Sequence, residues 1–149
     1  MTLLDFFHIL DSMDHFLAVK ELFQGCDTPE KKYQKIIECG RSLPSMPPDL
    51  KIPENIVSGC QSIVYLHCQM LEGKLFFTAA SDALISSGLA ALLLKAYNGH
   101  PPEFLLKNKP TFLNELQINT SLSPGRSNGL ASMFLRMQKN ALNFLVPIS

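Results

Sequence analysis

Helices covering a small antiparallel sheet, an α+β domain, is the fold class this sequence predicts, and three observations lead there. Apolar residues recur at helical spacing over 3–43 and again over 83–145. Between them the period falls to two: Ser62, Val64, Leu66, Cys68 and Met70 share one face, and Gln61, Ile63, Tyr65, His67 and Gln69 the other. A second apolar stretch, Leu75–Ala80, follows a Glu72-Gly73 turn. Helices, a hairpin and helices again point to a sheet packed under helices rather than to alternating βαβ units.

Residues 3–23 place Leu3, Phe6, Phe7, Leu10, Met13, Leu17 and Phe23 at core-facing helical positions, with a break near Ser12. Thr28-Pro29-Glu30 supplies an N-cap, a proline at the first helical position and a first-turn acid for a second helix, which carries Tyr33, Ile36 and Ile37 and ends between Gly40 and Leu43. Pro44, Pro47, Pro48 and Pro53 make the next segment an irregular connection without a regular element. In the hairpin, a two-residue loop opposes Met70 to Leu75, Cys68 to Phe77 and Leu66 to Ala79, all apolar, with Gln69–Phe76 and His67–Thr78 on the other face. A one-residue slip destroys that match. Ser81-Asp82 is expected to cap a helix over 83–97 that buries Leu84, Ile85, Leu89, Leu92, Leu93 and Ala96. Gly88 inside it costs about 1 kcal/mol against alanine, so a neighbour should approach closely there. Short helices over 102–107 and 111–116 follow, and Ser123-Pro124 opens a last helix turning Leu130, Phe134, Met137, Ala141 and Leu145 inward.

The 149 residues are read as one domain, 1–149. Lysine plus arginine equals aspartate plus glutamate at 13 each, which argues against a nucleic-acid binder built on a basic surface. No apolar run reaches a membrane span. The opening Met1-Thr2-Leu3-Leu4-Asp5 lacks a basic n-region, so the expected location is the cytoplasm. The four cysteines form no C-x-x-C pair and should be free thiols there. Cys39 in a helix and Cys68 on the inner strand face read as core residues, and Cys26 in its Gly-Cys-Asp turn as incidental.

Cys60 differs. It follows Gly59 where the loop from Pro53-Glu54-Asn55 is expected to enter the first strand, so its thiol can face a partner while the sheet fixes its position. Nucleophilic chemistry at sulfur needs the thiolate, which calls for help from a cation or hydrogen bond. Arg126, a cation at the positive end of the last helix, is the candidate, with a surface salt bridge as its alternative role. Asp82 is either a helix-capping acid or part of a partner-facing surface. His67 lies well along the strand and is a poor base for Cys60; His8, His15 and His100 show no metal spacing. Neither a glycine-rich phosphate loop nor paired catalytic carboxylates appear.

Five stretches, in order and spacing, resemble the SufE family of sulfur-acceptor proteins. They are Lys32–Gly40 with Leu43-Pro44; Val57–Tyr65 around Cys60; Ala80–Ala83; Ser87-Gly88-Leu89; and Leu122–Leu130 containing Arg126. The resemblance runs from about residue 16 to 145, leaving residues 1–15 as an N-terminal extension. Where the family commonly has tryptophan after the valine, this chain has Tyr65. The resemblance implies a fold like that of the iron–sulfur scaffold proteins. It implies that Cys60 takes persulfide sulfur from a cysteine desulfurase, stimulates it, and passes the sulfur on for iron–sulfur cluster assembly. Gly59, Gln61, Asp82 and Arg126 then stand as supporting or partner-facing residues. No cofactor or metal of its own is implied, since pyridoxal phosphate resides on the desulfurase. The implied partners are that desulfurase and a downstream cluster scaffold, with a homodimer as a further association. Three other readings compete: a cluster scaffold, which requires several converging thiolates; a cysteine hydrolase, which requires a histidine within reach of Cys60; and a partner-binding module in which Cys60 is inert.

Overall fold

The computed structural model describes residues 2–146, with the side chains of 5 and 7–13 left aside. Its centre is the hairpin. Strands β1 (Val64–Leu71) and β2 (Lys74–Ser81) pair antiparallel with Leu66 opposite Ala79, Cys68 opposite Phe77 and Met70 opposite Leu75, the register expected from the sequence. Glu72 and Gly73 both take positive φ, 51° and 78°, the tight turn that suits right-twisted strands. Val64, Leu66, Leu75, Phe77 and Ala79 are buried on the inner face. Each outer edge of the hairpin carries a single bridge, Ile56 to Tyr65 on one side and Leu75 to His100 on the other.

Seven helices surround it among the described residues: α1 (Leu3–Leu22), α2 (Pro29–Arg41), α3 (Leu84–Tyr97), α4 (Pro102–Lys107), α5 (Thr111–Glu115), α6 (Ile118–Ser121) and α7 (Pro124–Leu145). The α+β class is therefore observed. Helix α3 is the central one, in contact with α1, α2, α7 and β2. Its buried residues run around most of its circumference, as an apolar helix enclosed by neighbours requires. At Gly88 the α2–α3 approach is so close that an added Cβ would overlap the Ile36 carbonyl; at Gly40 it would lie 2.7 Å from the Gly88 nitrogen. Thr28 and Ser123 cap α2 and α7 through their side-chain oxygens, as read from the sequence.

Several expectations are corrected. Helix α1 is unbroken at Ser12. Val19 within it and Phe23 just past its end are buried, with Phe16 against Tyr97, Phe104 and Phe112, whereas Leu3, Phe6 and Leu17 are exposed. Phe7, Leu10 and Met13 lie outside the described side chains. The proline-rich connection holds two 3-10 turns, Pro48–Leu50 and Pro53–Asn55, because a three-residue turn tolerates the missing proline N–H at its start. Ser81 ends β2 instead of capping α3: its hydroxyl donates to the Ile63 carbonyl (2.9 Å) and accepts the Ala83 N–H (3.2 Å). Helix α3 starts at Leu84 without a side-chain cap, and Asp82 takes no part in one. Leu84 and Leu145, expected inward, are exposed at helix ends where the core has run out.

Candidate functional site

The loop carrying Cys60 is pinched shut at its base. The Val57 N–H donates to the Val64 carbonyl at 2.9 Å, next to the Ile56–Tyr65 bridge, so residues 58–63 form an excursion from the sheet edge. The strand was expected to begin beside Cys60; it begins at Val64 instead, because the Ile63 carbonyl is taken by the Ser81 hydroxyl and not by the ladder. Cys60 therefore sits in mid-loop and not at a strand junction.

The excursion lies along one stripe of α7 that is made of small residues. Gly125, Gly129 and Ser132 recur at i, i+4 and i+7 and share a helix face. A Cβ on Gly125 would meet the Gln61 amide (2.7 Å from Oε1), one on Gly129 would lie 3.7 Å from Cys60 Sγ, and one on Gly59 would lie 2.5 Å from Ser132 Oγ. Gly59 also has φ +91°, a left-handed conformation that a side chain would strain. Glycines on both partners thus allow the backbone of the loop to touch the helix. Cys60 Sγ comes to 3.6 Å from the Gly129 carbonyl, a weak S–H to oxygen hydrogen bond.

One side of the thiol is open. Cys60, Gln61 and Ser62 from the loop, Ile37 from α2, Leu84 to Ser86 from α3, and Arg126 with Met133 from α7 line a cavity of about 400 Å³. Cys60 is half-buried, neither entombed nor on a flat surface. Its pKa is pushed above the usual thiol value by burial, with no opposing pull from a neighbouring charge. Arg126 shares the cavity with the sulfur. It forms no ion pair with a described residue, so the surface salt bridge weighed for it is not observed. Asp82 is exposed and precedes Ala83, which lines the cavity; Asp82 itself does not.

The other thiols are dispersed. Cys39 lines a separate cavity of about 420 Å³ between α2, β2 and α3, and Cys68 a third beside His67 and Asn140. Both are half-buried, less enclosed than expected, and burial raises both; Cys68 is pushed up to about 12. Cys26 packs at the edge of the core. Among the described residues, no three His, Cys, Asp or Glu side chains converge as a metal site requires, and no histidine lines the Cys60 cavity.

Sequence reading did not single out Ser132, Gly125, Gly129 or Arg136. The small-residue spacing on α7 was a usable signal of close approach. Arg136 offered none, since it donates to backbone: Nη1 to the Ile56 carbonyl at 3.0 Å and Nη2 to the Glu54 carbonyl.

The site is a half-sheltered cysteine on a glycine-lined loop that faces a cavity of an α+β domain. Residues 18–141 match the family described as SufE, Fe-S metabolism associated domain. The chain is 35% identical over 126 residues to an uncharacterized SufE-like protein of Synechocystis sp., covering 85% of this chain and 79% of that one. It is 37% identical to SufE-like protein 1, chloroplastic/mitochondrial, of Arabidopsis thaliana, and 32% identical to the cysteine desulfuration protein SufE of Plasmodium falciparum. Those matches cover 86% and 84% of this chain but only 35% and 53% of the two relatives. The solution structure of a hypothetical protein from Thermus thermophilus superposes with a TM-score of 0.73 at 25% identity, over 88% of this chain and 96% of that one. The chain belongs to the SufE family, and with it to iron–sulfur metabolism. Among the described residues no helix is long and apolar enough to cross a membrane. The Arabidopsis relative's name assigns it to chloroplast and mitochondrion, so the family is not confined to the cytoplasm expected above.

Proposed function

We propose that Cys60 accepts sulfane sulfur from the persulfide of a cysteine desulfurase, stimulates that enzyme by clearing it, and hands the sulfur to a downstream cluster scaffold. The observation that carries this reading is the half-sheltered Cys60 thiol on a loop that touches its helix through glycines and opens onto a cavity. The name of the Plasmodium relative, cysteine desulfuration protein, supports the same direction. In the step itself the Cys60 thiol gives up its proton and the thiolate attacks the terminal sulfur of the donor persulfide. The donor S–S bond breaks, the donor cysteine leaves as thiolate, and Cys60 becomes the persulfide. Such an exchange asks for a positioned thiol and a docking surface, not for a catalytic triad. Gly59 and Gln61 hold the thiol on the helix, while Arg126 and Asp82 face the docking desulfurase. Pyridoxal phosphate chemistry belongs to that partner, and this chain acts as carrier and activator, not as an enzyme in its own right.

Incubation with a cognate desulfurase and cysteine should add the mass of one sulfur to the peptide containing Cys60, and Cys60→Ser should abolish both the adduct and the stimulation of sulfide release. A Cys60→Ser variant as stimulatory as the wild type would end the carrier reading.

A further inference from the structure

We propose that Arg136 is a positioning residue for the sulfur-carrying loop, an anchor that fixes the base of the loop so that only its tip, with Cys60, leaves the helix. Among the described residues the loop and its base are hydrogen-bonded to α7 at two places, and these differ in strength. At the tip a thiol contacts the Gly129 carbonyl at 3.6 Å, a weak bond. At the base a guanidinium donates to two carbonyls of one short segment, Ile56 at 3.0 Å and Glu54. Hydrogen bonds from a charged donor are about twice as strong as neutral ones, and the planar fork of arginine fixes two acceptors at once. Arg136 pairs with no carboxylate among the described residues, so these carbonyls are what its charge is spent on.

Its place in sequence matters as much as its bonds. Gly125, Gly129, Ser132 and Arg136 follow at i, i+4, i+7 and i+11, one continuous stripe of α7. A single helix thereby holds the entry to the excursion and its cysteine in a common frame. The proline-rich connection ahead of the loop is held mainly by local bonds, Asn55 Nδ2 to the Leu50 carbonyl at 2.7 Å and the Ile56 N–H to the Pro53 carbonyl at 3.1 Å. Without the fork, the chain entering the loop would keep these local bonds and the Ile56 and Val57 pairing to β1, with no side-chain hydrogen bond to α7 at the base among the described residues. Weak at the tip and strong at the base is the arrangement of a hinge that opens in one direction.

The test compares Arg136→Ala and Arg136→Lys with the wild type by mass spectrometry of iodoacetamide alkylation at each cysteine of the intact chain. Arg136→Ala should alkylate about tenfold faster or more at Cys60, the least that loss of a charge-assisted hydrogen bond implies. Cys26, Cys39 and Cys68 should stay at wild-type rates. Arg136→Lys, which keeps the charge but cannot grip both carbonyls, should fall between. An unchanged Cys60 rate would overturn the proposal, and so would equal acceleration at all four cysteines, which would make Arg136 a support of the whole domain. The functional arm rests on the carrier reading: at saturating desulfurase, Arg136→Ala should load sulfur onto Cys60 severalfold more slowly, because the thiol arrives from a wider spread of positions. Faster alkylation with wild-type loading would show shielding without positioning and overturn the claim. A wild-type chain that never gains sulfur would remove the carrier reading while the alkylation comparison still decides the anchor.

Discussion

Substituting Gly88 by alanine sets two opposed effects against each other. Alanine is favoured over glycine inside a helix by about 1 kcal/mol. Against it stands the α2–α3 crossing, where the new Cβ would lie 2.6 Å from the Ile36 carbonyl carbon and 2.5 Å from its Cγ2, when ordinary contact begins at 3.4 Å. The first obstacle is backbone, which cannot rotate aside, so the helices must part by about an ångström. A gap of that size forfeits a quarter to a half of each dispersion contact along the interface. Overpacking of this kind costs about 1–3 kcal/mol and sometimes more, and the dispersion loss adds to it. The net expectation is a loss of about 2 kcal/mol, a midpoint lower by about 1 M in a urea titration followed by circular dichroism. Gly25→Ala is the comparison: unlike the helical Gly88 it has positive φ (+83°), and no atom lies within 4 Å of the added Cβ. That variant should lose about 1 kcal/mol from backbone strain alone. A Gly88→Ala midpoint equal to or above wild type would mean that helix propensity outweighs the crossing, and the reasoning would fail.

Two further outcomes follow from the same structure. Arg126→Ala should leave stability within about 0.5 kcal/mol, as for an exposed residue without an ion pair, yet slow sulfur loading from the desulfurase; unchanged loading would remove Arg126 from the docking surface. Stability should also erode at alkaline pH. The unfolded chain releases the Cys68 proton near 9.0 while the folded chain keeps it to about 12. The contribution of the neutral thiol is therefore complete below the lower value and lost as pH rises through the upper one. Cys68→Ala should make that decline shallower in urea midpoints measured between pH 8 and 11, leaving the share of Cys39, Cys60 and Tyr97, whose pKa values burial also raises. An identical alkaline slope in the variant would refute the assignment.

What could be read from the sequence was whatever side chains signal locally. The hairpin register was legible because alternation and a Glu-Gly turn agree, and only one pairing keeps Leu66, Cys68 and Met70 opposite apolar partners. The caps at Thr28 and Ser123 were legible for the same reason. Gly88 announced a close approach, but not that Ile36 makes it. Boundaries failed where pattern and backbone part: Gln61 to Ile63 continue the alternation after the chain has left the ladder. Ser81-Asp82 has the composition of a cap but lies where a strand ends. Periodicity likewise marks an apolar stripe without saying which part finds a partner, hence Leu17, Leu84 and Leu145 in solvent. Cys60 stood out through its glycine neighbour. The Gly129 carbonyl beneath it and the Ile56 carbonyl held by Arg136 are backbone acceptors, and no residue type encodes those.

The resting state of the site bears on how a carrier avoids losing its cargo position to side reactions. A thiol whose pKa burial has raised offers little thiolate at neutral pH, so it meets bulk oxidants and electrophiles slowly. The same protonation holds it to the Gly129 carbonyl, since only the thiol form can donate there. Deprotonation removes that weak bond, and a thiol lifted off the helix regains the solvent that favours ionisation. On the carrier reading, a docking desulfurase triggers that release by meeting the loop at the cavity mouth. Arg126, lining the same cavity, is then placed to meet the charge that forms. Reactivity on this account is conferred by engagement rather than stored in the free protein. The cation at the unfavourable end of α7, a modest local cost, fits a group whose counter-charge exists only during transfer.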